Sequence, residues 1–171
     1  MDHFLKLLCS IVSMLAVTAC ERVSSIPAAV FGLDQTKLRG FDERRFHSEI
    51  NLHCRTLFGH GHYFHAVFEA AKTYNRFIQN KSSSQLDGQK LMMSVWDPSS
   101  GILKVTPCLT ETDRNVQDGI KFLSAGLVQA IRNPTAHEPA LHWPIAETDA
   151  LDLLSFVSFL LRQLDKAVKH P

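Results

Sequence analysis

The chain has 171 residues, of which 45% are hydrophobic and 20% charged, and its formal net charge is +1. This is ordinary globular composition, sufficient for one domain with a core. The near-neutral charge argues against a broad basic surface for nucleic acid, so any RNA binding would be local or built by two chains together. The four cysteines (Cys9, Cys20, Cys54 and Cys108) include no CxxC, which argues against a zinc ribbon or a disulfide scaffold and favours reduced thiols.

The first 23 residues, MDHFLKLLCSIVSMLAVTACERV, resemble an export signal, and Val17–Cys20 resembles a bacterial lipobox. Asp2 weakens the positive start, however, and polar residues interrupt an apolar run that is too short for a membrane span. The apolar residues also recur at helical spacing. We therefore predict an amphipathic helix packed on a domain, in a cytoplasmic protein without a membrane anchor. Lipoprotein export through Cys20 is the alternative.

Turn-forming residues over 23–43 predict a linker, so residues 1–45 form an N-terminal helix and linker and residues 46–171 form a helical domain. Within that domain, apolar spacing predicts helices over 46–58 and 62–80, separated by a turn at Gly59 and Gly61. Residues 81–113 predict a long connection that contains one short helix near Gln89 to Ser94.

Two further helices are predicted from about Arg114 to Asn133 and from about Thr148 to Lys169. The fold class is therefore all-α, a helical bundle with one long loop between the second and third main helices. The last helix carries more apolar surface than one small core needs, which predicts that part of it faces a second copy in a homodimer. Gly119 and Gly126 would allow a neighbouring backbone to approach closely.

The segment AIRNPTAHE places Arg132 and His137 on either side of a proline. Pro134 disfavours helical geometry at Asn133, and asparagine is a good N-cap. We therefore expect the helix to break at Asn133 and a short helix holding His137 to follow. That kink would bring Arg132 and His137 to one surface.

Arginine and histidine together suit the cleavage of RNA without a metal. That reaction needs a proton acceptor near the ribose 2′-hydroxyl, a proton donor near the leaving oxygen and positive charge at the phosphate. Histidine titrates near neutrality, and the arginine fork matches phosphate oxygens. The simpler alternatives are an ion pair of Arg132 with Glu138, or a contact with a helix-end carbonyl, and a turn-capping role for His137.

Histidines between His53 and His65, together with Cys54, raise the question of a metal site, since both residue types are metal ligands. No carboxylate or second cysteine completes a recognisable spacing, so we predict no metal and read the histidines as exposed residues near helix starts. Walker, GxGxxG and GxSxG motifs do not occur in the sequence, which leaves NTPase, Rossmann and hydrolase readings without support.

Four segments between Phe46 and Asp165 carry a family resemblance: LFGHGHYFHAVFEAAKTYNRFIQ, DGQKLM, AGLVQAIRNPTAHE and ALDLLSFVSFLLRQLD. In this order they resemble the uncharacterised bacterial Ymh family, which is itself similar to the HEPN superfamily (higher eukaryotes and prokaryotes nucleotide-binding). The most specific element is the run from Arg132 to His137. HEPN proteins are helical bundles that commonly dimerise, and many are metal-independent ribonucleases with an Arg-x4–6-His motif.

The resemblance implies roles for individual residues. Arg132 would bind the scissile phosphate, His137 would transfer protons, and Asn133 would orient the phosphate or the histidine. In some HEPN domains an acidic residue on an earlier helix joins the site, and Glu69 is its match here. For Glu69 we favour the alternative of a surface pair with Lys72, Thr73 or His65.

The resemblance also implies a biological role. It predicts an endoribonuclease without cofactors that acts on RNA at a dimer cleft, as a toxin or antiphage-defence effector. An antitoxin or another regulatory protein would then be a partner. The alternative is a non-catalytic HEPN module that binds a nucleotide or RNA.

Overall fold

The computed structural model describes residues 32–170, and the helices within this range belong to the unit Asp34–Pro171. The elements in chain order are α1 (Gln35–Glu43), α2 (Ser48–Gly59), α3 (Tyr63–Ser82), α4 (Gly88–Val95), β1 (Leu103–Lys104), α5 (Glu111–Leu127), a π-helical turn (Val128–Arg132), α6 (Asn133–His137), α7 (Glu147–Lys166) and β2 (Val168–Lys169). The N-terminal helix predicted within residues 1–23, with Cys9 and Cys20, lies outside the described residues.

The fold is an all-α helical bundle, as predicted, and α3 is its central helix. This helix contacts α2, α4, α6, α7 and the π-helical turn. Its buried face supplies Val67, Tyr74 and Ile78 to one continuous core. Burial of such side chains is the main stabilising term of the fold. The buried hydroxyl of Tyr74 is satisfied by a hydrogen bond with Ser124 Oγ on α5 at 2.7 Å.

The linker predicted over residues 23–43 contains helix α1, so that part of the prediction is wrong. Asp34 caps the helix, since its carboxylate accepts from the backbone N–H of Thr36 at 2.9 Å. Leu38 and Phe41 are both fully buried, and Phe41 belongs to the core. Two apolar residues at a three-residue spacing are too weak a sequence pattern to be distinguished from a linker, but they anchor this short helix.

The predicted connection over residues 81–113 contains its predicted short helix, α4. The rest is fixed by buried Gln117 of α5, which donates to the carbonyls of Trp96 and Leu103 and accepts from the amide of Val105, each at 2.9 Å. Helix α5 begins at Glu111, ahead of the predicted start, because Thr110 and Asp113 form a capping box. Buried Gln117 thus orders this segment together with the buried side chains of Trp96 and Leu103.

The last helix ends at Lys166 instead of reaching Lys169, because Ala167 adopts extended backbone angles. Val168 and Lys169 then pair antiparallel with β1, and the amide of His170 donates to the carbonyl of Ile102 at 2.8 Å. Tertiary hydrogen bonds outweigh the helical spacing at the end of this segment. Among residues 32–170, no helix combines the length and apolar character needed to cross a membrane.

An apolar groove of about 560 Å³ lies between α5, the π-helical turn and α7. It is lined by Gly119, Phe122, Leu123, Gly126, Leu127, Ala130, Ile131, Leu153 and Phe156. Phe122 is 59% exposed and Leu123 is 43% exposed. A Cβ added at Gly119 or Gly126 would meet no atom within 4 Å. The apolar surface predicted for the last helix therefore continues onto α5 and is open to solvent in the single chain.

Candidate active site

Arg132 is the last residue of the π-helical turn, which joins α5 to α6 without a break. Asn133 has helical angles, φ −68° and ψ −51°, so the helix break and the N-cap predicted at Asn133 are wrong. Pro134 lies in the first turn of α6 and has no N–H to donate. The wider π-helical turn before it accommodates the missing hydrogen bond. Arg132 is consequently carried by a continuous helix and not by a loop.

The Arg132 guanidinium is held by a carboxylate from a distant part of the sequence. Its Nη2 donates to Asp87 Oδ2 at 2.8 Å, and its Nη1 donates to Asn133 Oδ1 at 3.4 Å. The partner of Arg132 is therefore Asp87, and not the Glu138 that the simpler alternative named. The Arg132 side chain is 26% exposed, so the other N–H groups of its fork remain within reach of a ligand.

Asp87 is in turn fixed by Asn75, a buried residue on α3. Asn75 Nδ2 donates to Asp87 Oδ1 at 2.7 Å, and Asn75 Oδ1 accepts from the backbone N–H of Gly88 at 3.1 Å. Gly88 has φ +61°, a conformation that glycine adopts at little cost. The chain Asn75–Asp87–Arg132, called the Arg132 clamp below, ties α3, the start of α4 and the π-helical turn together.

A polar cleft of about 610 Å³ opens beside the clamp and is called the Arg132 cleft. Its lining residues are His53, Glu69, Lys72, Thr73, Asn75, Arg76, Phe77, Gln79, Asn80, Asp87 and Arg132. Most come from successive turns of α3, which forms one wall. The cleft contains three permanent cations and two carboxylates, so it carries a small local excess of positive charge in a nearly neutral protein.

His137 lies at the end of α6, is exposed, and is not part of the lining of the Arg132 cleft. Each helical residue is rotated by about 100° from the last, so five positions place Arg132 and His137 roughly 140° apart around the helix. The expected kink does not form, and the single chain does not bring His137 into the cleft that Arg132 lines. Within residues 32–170, the His137 imidazole has no hydrogen bond or ion pair.

Glu69 lies on the wall of the Arg132 cleft, so it shares the cavity with Arg132. Its carboxylate pairs with Lys72 Nζ at 2.8 Å, which confirms the surface pair that we favoured for this residue. Burial and the nearby negative charge of Glu69 raise the pKa of the Cys54 thiol to about 12. Cys54 is thus a protonated core residue and not a nucleophile of the cleft.

Three histidines at the start of α3 lie side by side without forming a metal site. The ring centroids of His60 and His62 are 6.2 Å apart, and those of His62 and His65 are 6.1 Å apart. Over residues 32–170, no group of three histidine, cysteine or carboxylate side chains converges as metal ligands would. All three histidines are exposed around the helix start, as the sequence predicted.

Sequence reasoning missed Asn75, Asp87 and Arg76 as residues of the cleft. The segment DGQKLM shows an Asp-Gly turn signal ahead of a short helix, but nothing in it reveals that Asp87 meets Arg132 across 45 positions. Asn75 sits at a core-facing position of α3, and a polar residue at such a position is the one signal that could have been used.

The fold and the cleft define a small all-α protein with a helix-borne arginine in a polar cavity. A family model described as "Protein of unknown function (Hypoth_ymh)" matches residues 44–164, which is more than half of the chain. The chain belongs to this family. No curated protein matches the chain, and no solved structure matches it either.

Proposed function

We propose that the protein is a metal-independent endoribonuclease of the HEPN type, in which Arg132 and His137 act on RNA. The observation that carries the proposal is the setting of Arg132: the clamp holds it on a rigid helix at the wall of a polar cleft, with free N–H groups. A pre-oriented, permanently charged fork is the group that stabilises a phosphate as negative charge develops on it.

In the proposed reaction the ribose 2′-oxygen attacks phosphorus while the bond to the 5′-oxygen breaks. His137 takes part in proton transfer, either from the 2′-hydroxyl or to the leaving oxygen. Arg132 binds the phosphate, and Asn133, whose Oδ1 already contacts Nη1 of Arg132, orients that group. Glu69 serves only to balance charge in the cleft. The products are a 2′,3′-cyclic phosphate, or the 3′-phosphate derived from it, and a 5′-hydroxyl.

We further propose that the protein is a homodimer in which a second copy covers the apolar groove. Exposed apolar patches of this kind mark interaction sites. The groove reaches Ile131, the neighbour of Arg132, so a two-fold pairing there places two helix ends close together. A single helix directs Arg132 and His137 to different sides. In the proposed dimer, one copy supplies Arg132 and the other supplies His137 to the same active centre.

The biological role that fits this chemistry is a cytoplasmic toxin or antiphage-defence effector. Such an enzyme cuts cellular or phage RNA when triggered, and an antitoxin or another regulatory protein would restrain it. This role rests on the resemblance to HEPN proteins, to which the proposal assigns the family. Intact-mass analysis of the protein from cells tests the compartment, since a lipid-modified Cys20 at a new N-terminus would place it outside the cytoplasm.

Activity is tested with purified full-length protein and RNA in the presence of EDTA. Cleavage should persist and leave the ends given above. His137→Ala and Arg132→Ala should each lower the rate by about 10² to 10⁴. His142→Ala and Arg39→Ala are matched controls, since both residues are exposed and lie outside the cleft. Undiminished cleavage by the double variant, or cleavage only with added divalent metal, contradicts the mechanism.

Assembly is tested by light scattering of the wild type and of Phe122→Asp. The wild type should be a dimer at micromolar concentration, and the charge in the groove should make it a monomer. Leu52→Asp is the control, because Leu52 is 74% exposed on α2, outside the groove. A monomeric wild type would contradict the dimer and leave the chemistry of Arg132 to be judged separately.

The second candidate function is a non-catalytic module that binds a nucleotide or RNA. Two observations favour it: Asp87 neutralises Arg132, and His137 lies outside the Arg132 cleft. Wild-type protein that binds RNA or a nucleotide tightly, yet leaves many RNA sequences uncut with or without its genomic neighbours, would make this the better account.

A further inference from the structure

A second polar cavity, of about 370 Å³, adjoins the Arg132 cleft at the C-terminal half of α3. It is lined by Arg76, Gln79, Asn80, Ser83, Ser84 and Gln85. Arg76, Gln79 and Asn80 line both cavities, so the two form one continuous polar surface, called the α3 channel below. No function described above uses this second cavity.

The cations along the α3 channel differ in how far they are neutralised. Lys72 pairs with Glu69, and Arg132 pairs with Asp87. Arg76 is exposed at the junction of the two cavities, and it has no ion pair with any residue in the range 32–170. An unpaired guanidinium between two polar cavities has its full charge available for an anion.

Lys169 places a further cation at the far end of the α3 channel. Its Nζ donates to Ser83 Oγ at 2.8 Å, and Ser83 lines the second cavity. The C-terminal end of α3 carries a partial negative charge that opposes anion binding. The pairing of β2 with β1 brings Lys169 to this end, and its ammonium offsets that partial charge.

We propose that the α3 channel binds the sugar-phosphate backbone of single-stranded RNA next to the scissile phosphate. Arg76 and Lys169 contact phosphates further along the strand, on one side of the phosphate that Arg132 holds. The seven helical steps from Arg76 to Ser83 span about 10 Å, the length of roughly three stacked nucleotides. The inference rests on the proposed ribonuclease function and adds to it the course of the substrate.

The walls of the α3 channel suit a single strand in particular. Amide and hydroxyl groups of Asn80 and Ser84 offer donors and acceptors to sugars and base edges. An extended strand can place its backbone on one wall and leave its bases free for such contacts. Among the described residues that line the two cavities, Phe77 is the one with an apolar side chain, so charge and hydrogen bonding must supply most of the affinity.

The test is the salt dependence of binding, measured by fluorescence anisotropy with a labelled 2′-O-methyl RNA that cannot be cleaved. Each phosphate contact of a single strand contributes about 0.7 to the slope of log Kobs against log salt concentration. Arg76→Gln should lower the slope by about 0.7 and weaken binding several-fold, and the double variant with Lys169→Gln should lower the slope by about 1.4. Arg39→Gln, which removes an exposed arginine from α1, should change neither.

Cleavage kinetics separate the α3 channel from the chemistry. The channel variants should raise KM and leave the single-turnover rate at saturating RNA unchanged, because neither residue touches the scissile phosphate. If the double variant keeps the wild-type salt slope, or if the wild type shows no measurable RNA binding at low salt, the proposed RNA-binding role of the α3 channel is wrong, even if the protein cleaves RNA. Equally tight binding of polyglutamate would assign this surface to an acidic protein and would also contradict the proposal. RNA binding that depends on the channel residues, without any cleavage, would contradict only the proposed ribonuclease function.

Discussion

Replacing Asn75 with alanine should destabilise the protein more than any exposed substitution on the same helix. Asn75 is 5% exposed and makes both hydrogen bonds of the Arg132 clamp on the α3 side. Without its Oδ1, the N–H of buried Gly88 has no acceptor, which costs about 1–3 kcal/mol. Without its Nδ2, the bond to exposed Asp87 is lost, at about 0.5–1.5 kcal/mol.

These two losses amount to about 1.5–4.5 kcal/mol. Alanine is a better helix former than asparagine, which offsets about 0.5 kcal/mol of that loss. The net decrease in the free energy of unfolding is therefore about 1–4 kcal/mol. For a chain of this size each kcal/mol lowers Tm by about 2–4 °C, so the expected drop is roughly 2–16 °C.

The assay is thermal and urea unfolding followed by circular dichroism. Asn80→Ala is the matched control, since it lies on the same helix, is exposed, and makes no side-chain hydrogen bond within residues 32–170. It should be neutral or slightly stabilising, because it gains the same helix propensity and loses nothing. If Asn75→Ala unfolds within about 0.5 kcal/mol of Asn80→Ala, the clamp does not fix Asp87 and the reasoning about Arg132 fails with it.

Three further outcomes follow from the described residues. Backbone amides of Ser100 and its neighbour lower the pKa of Asp97 to about 2, so stability from Asp97 is full above about pH 4 and lost as pH falls towards 2; Asp97→Asn should cost about 1 kcal/mol at pH 7 and flatten the acid limb of a stability curve. A Cβ at Gly101 would collide with the backbone of Asp97 and Val95, so Gly101→Ala should lose at least about 2 kcal/mol in urea unfolding. Burial raises the pKa of Cys54 to about 12, so mass spectrometry should find it unmodified by iodoacetamide at pH 8 until the protein unfolds.

Helical spacing was sufficient to predict most of the bundle from the sequence. Helices α2, α3 and α4 lie close to their predicted positions because their apolar residues repeat over several turns. Helix α1 was not predicted because it has only two buried residues, Leu38 and Phe41. The extended end at Val168 was missed because β1, its partner strand, lies more than 60 positions earlier, and local spacing carries no information about such a pairing.

The candidate site was predictable in its chemistry and not in its geometry. Arg132 and Glu69 do line one cavity, which their residue types and the family resemblance suggested. The rule that proline ends a helix was misleading at Pro134, since a π-helical turn absorbs its missing donor. The partner of Arg132 is Asp87, 45 positions away. Its role emerges only from the packing of α4 against the π-helical turn.

The positions of Arg132 and His137 tie the proposed chemistry to the proposed assembly. One helix directs the two side chains roughly 140° apart, so an active centre that uses both is more readily built from Arg132 of one copy and His137 of another. Mixing Arg132→Ala protein with His137→Ala protein then restores one intact centre in each mixed dimer, or about a quarter of wild-type activity after random exchange. If both residues act from the same chain, no mixture regains cleavage. Restored activity would support the dimer and the catalytic pair together, whereas a silent mixture of two folded dimers would contradict a centre built from Arg132 of one copy and His137 of the other.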